Sequence, residues 1–132
     1  MSNEIKEMNL EEFIAETEQK ILNNEYYEDV DIEYKDIMLH VRIRPISQAR
    51  FVQISKNKKA LDNAEFHTLM VKECVLNKHD NKPFTREQID KIFTGGLVVI
   101  LSLKCMEISG ISLSEGQLQN LSPERVENIK KH

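Results

Sequence analysis

The stretch DVDIEYKDIMLHVRIRP, residues 29–45, has apolar residues at every second position on both sides of Lys35-Asp36. This alternation is the pattern of a half-buried β-hairpin. With Lys35 and Asp36 as a two-residue turn, apolar residues face one another on one side and opposite charges on the other. The expected apolar pairs are Tyr34 with Ile37, Ile32 with Leu39 and Val30 with Val41, and the expected charged pairs are Asp31 with His40 and Asp29 with Arg42. Lys-Asp is not a favoured turn dipeptide, so a longer loop is an alternative.

Helices are predicted on both sides of this hairpin. Four segments open with a polar cap residue and with flanking apolar residues that can pack across it. In three of them a further residue completes a capping box, and in the fourth a proline takes the first helical position. The four openings are Asn9 with Glu12, Asp62 with Glu65, Thr85 with Gln88, and Ser122 followed by Pro123. Apolar spacing then predicts helices over about 9–23, 47–59, 63–76, 86–93 and 97–109.

Together these patterns predict a predominantly helical α+β fold, with one short β-hairpin packed on a bundle of about five helices. A lone hairpin is marginal in water, so its apolar face should lie on the helices. The chain has 132 residues, enough for one domain with a core. We expect residues 1–112 to form that domain, with the hairpin at about 29–44 and helices to about 109. Residues 113–132 are expected to form a C-terminal tail with a short helix.

The most apolar stretch is FTGGLVVILSLKCMEISG, residues 93–110. Its glycine pair lacks the following lysine that a phosphate-binding loop needs. Its apolar run reaches Lys104 after about eight residues, whereas a membrane span needs about 20. We interpret Gly95 or Gly96 as a left-handed helix end, followed by a central core helix. A polar substitution at Val99 or Leu103 is then expected to unfold the domain.

No motif for catalysis, metal binding or a cofactor stands out. The chain lacks a nucleophile elbow, and its four histidines do not form the tight pairs that zinc sites use. Cys74 and Cys105 lie far apart and are expected to be reduced, buried thiols in a cytosolic protein. We therefore predict a cytoplasmic protein that is not an enzyme and that uses no metal or cofactor.

Charge is distributed unevenly along the chain. Residues 1–36 hold 12 acidic and 3 basic residues, whereas residues 37–60 hold 6 basic residues and no acidic one. This basic segment, residues 42–59, is a candidate partner interface, and the residues proposed for it are Arg42, Arg44, Arg50 and Lys56. A nucleic-acid-binding regulator is the alternative, because bases bind phosphate and Phe51 could stack. A protein partner is favoured, since Phe51 belongs to a helical apolar stripe and the acidic first helix could neutralise the patch.

The order of these elements resembles that of the tail assembly chaperones of long-tailed bacteriophages and related prophages. The resemblance covers about residues 28–112 and is carried by FHTLMVKECVLN, HDNKPF, FTREQIDKIF and LSLKCMEISGIS. In that family a strand pair precedes a helical part, and the closing helix often ends like EISGIS, residues 107–112. The glycine pair departs from the single turn residue of the family pattern.

This resemblance implies a non-enzymatic morphogenesis factor in the host cytoplasm, absent from the finished virion tail. Its expected partners are the tape measure protein, which it keeps soluble, and the tail tube protein, whose subunits it helps to recruit. We also expect self-association into homo-oligomers, and neither membrane nor nucleic-acid binding.

Overall fold

A computed structural model describes residues 5–56 and 63–111 of the chain. It has a mixed α+β fold with more helix than strand, as predicted. In chain order the elements are α1 (Leu10–Leu22), β1 (Glu28–Tyr34), β2 (Ile37–Ile43), α2 (Gln48–Lys56), α3 (Asn63–Cys74), β3 (Val75–Asn77), β4 (Lys82–Pro83), α4 (Arg86–Ile92) and α5 (Gly95–Ile108). The predicted caps at Asp62 and Ser122, and the predicted tail 113–132, lie outside the described residues.

The hairpin of β1 and β2 has the predicted register. All five expected pairs are present, from Tyr34 opposite Ile37 at the turn to Asp29 opposite Arg42. Lys35 and Asp36 form the two-residue turn with φ of 50° and 65°. Positive φ at both turn positions gives the twist that continues a right-handed strand pair, so alternation fixed the register despite the unusual dipeptide.

The sheet is larger than the single hairpin that was predicted. It has four antiparallel strands in the order β1-β2-β3-β4. The predicted helix 63–76 ends at Cys74, because Val75 pairs with Ile43 and the Arg44 amide donates to the Cys74 carbonyl at 2.9 Å. The chain then turns back through Asn81, whose φ is 61°, into the two residues of β4.

The core lies where α3 and α5 pack on each other and on the sheet. Each of the neighbouring elements α2, α4 and β2 adds a nearly inaccessible isoleucine. The buried apolar side chains are Ile32, Ile43, Ile54, Phe66, Met70, Val71, Cys74, Val75, Leu76, Ile89, Val98, Leu101, Cys105 and Met106. Cys74 and Cys105 are both free thiols with no exposed surface. A hydrogen bond with Cys74, together with burial, raises the pKa of the Cys105 thiol well above its ordinary value.

Helix starts were predicted well except at α5. The capping boxes of Asn9 with Glu12 and of Thr85 with Gln88 are both present. The expectation of a left-handed glycine corner at Gly95-Gly96 is wrong. Thr94 caps α5 by accepting from the Leu97 amide at 3.2 Å, so both glycines lie in the first helical turn.

The expectation that Val99 and Leu103 belong to the core is also wrong. Val99 is 38% exposed and Leu103 is 42% exposed, whereas Val98 and Leu101 are buried. An almost continuous apolar run does not indicate which side of a helix faces inward, since its hydrophobicity has no clear direction. The sheet and α3 cover only one side of α5 in the described part of the chain.

Candidate protein-binding surfaces

Arg42, one of the predicted interface residues, contacts the side chains of three other residues. Its Nε donates to Asp29 Oδ1 at 2.9 Å and its Nη2 donates to Asp29 Oδ2 at 3.1 Å. Its Nη1 donates to Asn81 Oδ1 at 3.2 Å, and its guanidinium lies 4.0 Å from the ring centroid of Tyr27. Arg42 therefore joins β1, the turn between β3 and β4, and the segment before β1.

Arg44 and Arg50 lie together at another place, beside Glu73 of α3. Arg50 Nε donates to Glu73 Oε1 at 2.9 Å, and Arg44 Nη2 lies 3.7 Å from Glu73 Oε2. Arg44 Nε also donates to the backbone carbonyl of Glu73 at 2.9 Å. Lys56 is exposed in the last turn of α2. The structure thus brings Arg44 and Arg50 together and leaves Arg42 in a separate contact network.

These contacts change the electrostatics of the basic segment. The three guanidinium groups of Arg42, Arg44 and Arg50 each lie against a carboxylate of another element. A phosphate would have to compete with carboxylates already in place, which lowers the gain from counterion release that drives nucleic-acid binding. The geometry therefore favours a structural role for these arginines over a phosphate site.

The first apolar surface is on α1, and we call it the α1 stripe. No residue of α1 is buried against the described part of the chain. The stripe consists of four apolar residues that lie on one side of the helix, namely Leu10 at 66% exposure, Phe13 at 54%, Ile14 at 46% and Ile21 at 56%. Apolar spacing predicts that one side of this helix carries Leu10, Phe13, Ile14, Ile21 and Leu22. It does not predict that the side is left uncovered.

The α1 helix is short for one that is not packed on a core. Isolated helices below about 12–15 residues are marginal in water, and α1 has 13. Its local support comes from the Asn9 capping box and from Glu16, which lies 3.8 Å from Lys20 one turn later. Such terms contribute about 1 kcal/mol for a cap and a few tenths for an exposed ion pair. Burial of the α1 stripe by another molecule would add to this stability.

The second apolar surface is a cleft of about 240 Å³ between β2, β3 and the start of α5, which we call the β2–α5 cleft. Leu39 and Val41 of β2 form one wall, and Phe84, Phe93 and Leu97 form another. Phe84 and Phe93 pack edge to face with centroids 5.3 Å apart. The complete lining is Leu39, His40, Val41, Val75, Leu76, Lys78, Phe84, Phe93, Leu97 and Leu101.

The hairpin tip is held near this cleft by one side-chain contact. The Tyr34 hydroxyl is hydrogen-bonded to Thr94 Oγ1, the same atom that caps α5. The wall made by β2 is therefore tied to the wall made by α5, and we expect the cleft to keep its shape without an occupant.

A serine–histidine pair links α3 to α5. His67 Nδ1 lies 2.7 Å from Ser102 Oγ, as in a nucleophile with its base. Ser102 has no exposed surface, so a substrate has no path to this hydroxyl in the fold described. The turn residue His79 is exposed, whereas Cys74 and Cys105 are buried. Within residues 5–56 and 63–111, no group of three or more histidine, cysteine, aspartate and glutamate residues could hold a metal ion.

Comparison of the chain with protein-family models, with curated proteins and with solved structures gave no match. Within the described ranges, none of the helices has both the length and the apolar character needed to cross a bilayer.

Proposed function

We propose that the protein is a phage tail assembly chaperone that binds the tape measure protein without catalysing a reaction and supports assembly of the tail tube. The observation that carries this proposal is the α1 stripe, an apolar helix surface left open by the rest of the described chain. Exposed apolar patches commonly mark protein-binding sites. An amphipathic helix can pair with an apolar helix of a partner protein. The α1 stripe could therefore bind a tape measure protein that is long and helical.

The energy available at the α1 stripe fits a reversible contact. Burying one Leu, Ile or Phe completely contributes about 1.5–3 kcal/mol. The four stripe residues are about half exposed, so covering them yields about 3–6 kcal/mol before the cost of association. A long client that presents many apolar helices could bind several copies through such modest contacts, and each copy could leave during assembly.

The proposal predicts a neighbouring gene for a tape measure protein, and coexpression of the two proteins tests it. The tape measure protein alone is expected to be insoluble, and coexpression is expected to bring it into the soluble fraction in a complex with this chain. Ile14→Gln should weaken that complex roughly tenfold, because it removes one apolar contact of about 1.5 kcal/mol from the α1 stripe.

Ala15→Gln is the matched control, because it places the same side chain next to the stripe on an exposed position of α1. It should leave the complex unchanged. Equal solubility of the tape measure protein with and without this chain would refute the proposed function. The alternative function, nucleic-acid binding through residues 42–59, would gain support from a salt-sensitive mobility shift of DNA or RNA.

A further inference from the structure

The strand β1 is an open edge of the sheet. The order β1-β2-β3-β4 makes β1 and β4 the two edge strands. β4 has two residues, and one of them is Pro83, which has no amide hydrogen to donate. β1 has seven residues and no proline, and in the described part of the chain it pairs with β2 alone. Short length and proline protect an edge from pairing with another chain, so β4 has this protection and β1 lacks it.

The hairpin register shows which backbone groups of β1 point away from the sheet. Tyr34 and Ile37 flank the two-residue turn and therefore form a hydrogen-bonded pair. Hydrogen-bonded and non-hydrogen-bonded pairs alternate along an antiparallel ladder. The amides and carbonyls of Asp29, Asp31 and Glu33 therefore point away from β2. In the part of the chain that the structure describes, no other strand pairs with them.

Two of these three acids are already paired within the fold. The Asp29 carboxylate accepts from Arg42 and lies near Lys78. Asp31 Oδ1 lies 2.6 Å from His40 Nδ1. An incoming strand would therefore meet Asp29 and Asp31 in a partly neutralised state.

The remaining acids leave the edge negative. Glu33 lies opposite Met38 and Glu28 lies opposite Ile43, so neither carboxylate faces a cation across the hairpin. Residues 25–36 hold six acidic residues and one basic residue. The acids stay in excess when the arginine and the lysine beside the edge are also counted.

This charge determines which kind of strand can be added. Two copies of β1 side by side would place acids opposite acids, which is destabilising. A strand with lysine or arginine at every second position would instead place its cations opposite Asp29, Asp31 and Glu33. Its intervening residues would lie beside Val30 and Ile32 on the apolar face of the sheet, so they should be apolar.

We propose that β1 binds an extended segment of a partner protein as a fifth strand, and that basic and apolar residues alternate in this segment. We expect an antiparallel strand, because all the strand pairs described in this sheet are antiparallel. In strand addition, backbone hydrogen bonds supply affinity and alternate side chains supply specificity. The edge of β1 is separate from the α1 stripe and accepts a strand instead of a helix, so this proposal goes beyond the proposed function.

A synthetic peptide is the first probe, with the sequence Thr-Lys-Val-Arg-Val-Lys-Thr and blocked ends. It should bind the purified full chain in an NMR titration that extends to about 1 mM peptide. A peptide of the same composition in the order Lys-Lys-Arg-Val-Val-Thr-Thr should bind at least about tenfold more weakly, because its cations lie on both faces of a strand. Absence of binding by the alternating peptide, or equal binding by both peptides, would overturn the proposal.

Methylation of the peptide backbone separates strand pairing from simple charge attraction. N-methyl groups on the three basic residues block the amides that face β1 and keep the charge. N-methyl groups on the two valines block amides that face away from β1. The first peptide should bind more than about tenfold more weakly than the parent, and the second should bind as the parent does. Any other result would overturn the proposal.

Two substitutions at Glu33 locate the contact on the protein. Glu33→Gln removes one charge and should weaken binding of the alternating peptide roughly threefold. Glu33→Pro also removes an outward amide, without affecting the bonds from β1 to β2, and should weaken binding by more than about tenfold.

Glu18→Gln is the matched control for charge, because Glu18 is exposed on α1, and it should leave peptide binding unchanged. Undiminished binding by Glu33→Pro, with the fold retained by circular dichroism, would overturn the proposal. The peptide experiments do not involve the α1 stripe, so their outcome is independent of coexpression with the tape measure protein.

Discussion

At the scale of single residues, Arg42 shows how a basic residue in this chain is used. Its guanidinium is held by Asp29 and Asn81 and stacks on Tyr27, and only 18% of its side chain is exposed. Bidentate pairing with a carboxylate and stacking on an aromatic ring are both specific to arginine. We infer that Arg42 fixes the position of the segment before β1 relative to the turn between β3 and β4.

The pairing of Arg42 with Asp29 makes stability depend on pH in the acid range. The hydrogen bond from Arg42 is the main reason that the pKa of Asp29 is below its ordinary value of 3.8. A carboxyl group with a lowered pKa in the folded state stabilises the fold fully above its unfolded pKa. That contribution is lost as the pH falls through the folded value.

Replacing Asp29 with Asn is therefore expected to remove part of the acid-induced loss of stability below about pH 4. The check is urea unfolding of both chains at several pH values between about 2 and 6. Above pH 5 the Asp29→Asn chain should be the less stable of the two, and the difference should shrink as the pH is lowered. A difference that is independent of pH would show that the carboxylate charge does not matter.

At the scale of elements, α5 has one buried side and one exposed side despite its nearly uniform hydrophobicity. Leu101 is 3% exposed and Leu103 is 42% exposed, only two positions apart. Leu101→Ala is expected to destabilise the protein by about 2–5 kcal/mol, because it leaves a cavity in the core. Leu103→Ala should change the free energy of unfolding by less than about 1 kcal/mol.

Chemical denaturation of Leu101→Ala and Leu103→Ala checks this difference. Both replace a leucine of α5 with alanine, so each variant is the control for the other. Similar losses in both would mean that Leu103 is covered in solution. The outward side of α5, with Val99 and Leu103, would then belong to an interface rather than to open surface.

The elements also show what the sequence could and could not predict. The register of β1 and β2 was predictable, because alternation and facing charges such as Asp29 and Arg42 admit few pairings. The strands β3 and β4 were missed, since Val75 and Leu76 continue the apolar pattern of α3 and short strands carry almost no periodic signal. Glu73 as the partner of Arg44 and Arg50 depends on tertiary packing, which no local pattern reveals.

The candidate surfaces were predictable to different degrees. Helical spacing identified the residues of the α1 stripe. Such a stripe usually packs on the core of the same protein, so its exposure could not be predicted. The β2–α5 cleft combines residues from 39 to 101 in the chain, so it required the fold itself. The predicted interface at Arg42, Arg44, Arg50 and Lys56 remains an untested prediction, and the contacts of the three arginines point to structural roles.

At the scale of the whole molecule, the core is formed by elements other than α1. A chain that lacks residues 1–24 is therefore expected to unfold with a free energy within about 1 kcal/mol of the full chain. This truncation keeps Tyr27 and its contact with Arg42. Thermal and urea denaturation of the two chains provide the measurement.

A loss of several kcal/mol on truncation would instead place α1 in the same cooperative unit as the hairpin and the helices. Full stability together with loss of the complex with the tape measure protein would separate the two roles of the molecule. The core would then provide the stability of the fold, and α1 would provide the binding surface.

The reactivity of the two buried thiols can report how often α3 and α5 separate. Cys74 and Cys105 lie on α3 and α5 with no exposed surface, and the raised pKa of Cys105 keeps that sulfur protonated. Thiol reagents attack the thiolate and need access, so neither sulfur can react until α3 and α5 separate. The rate at which the native protein loses its free thiols therefore measures how often its centre opens, with no probe added to the chain.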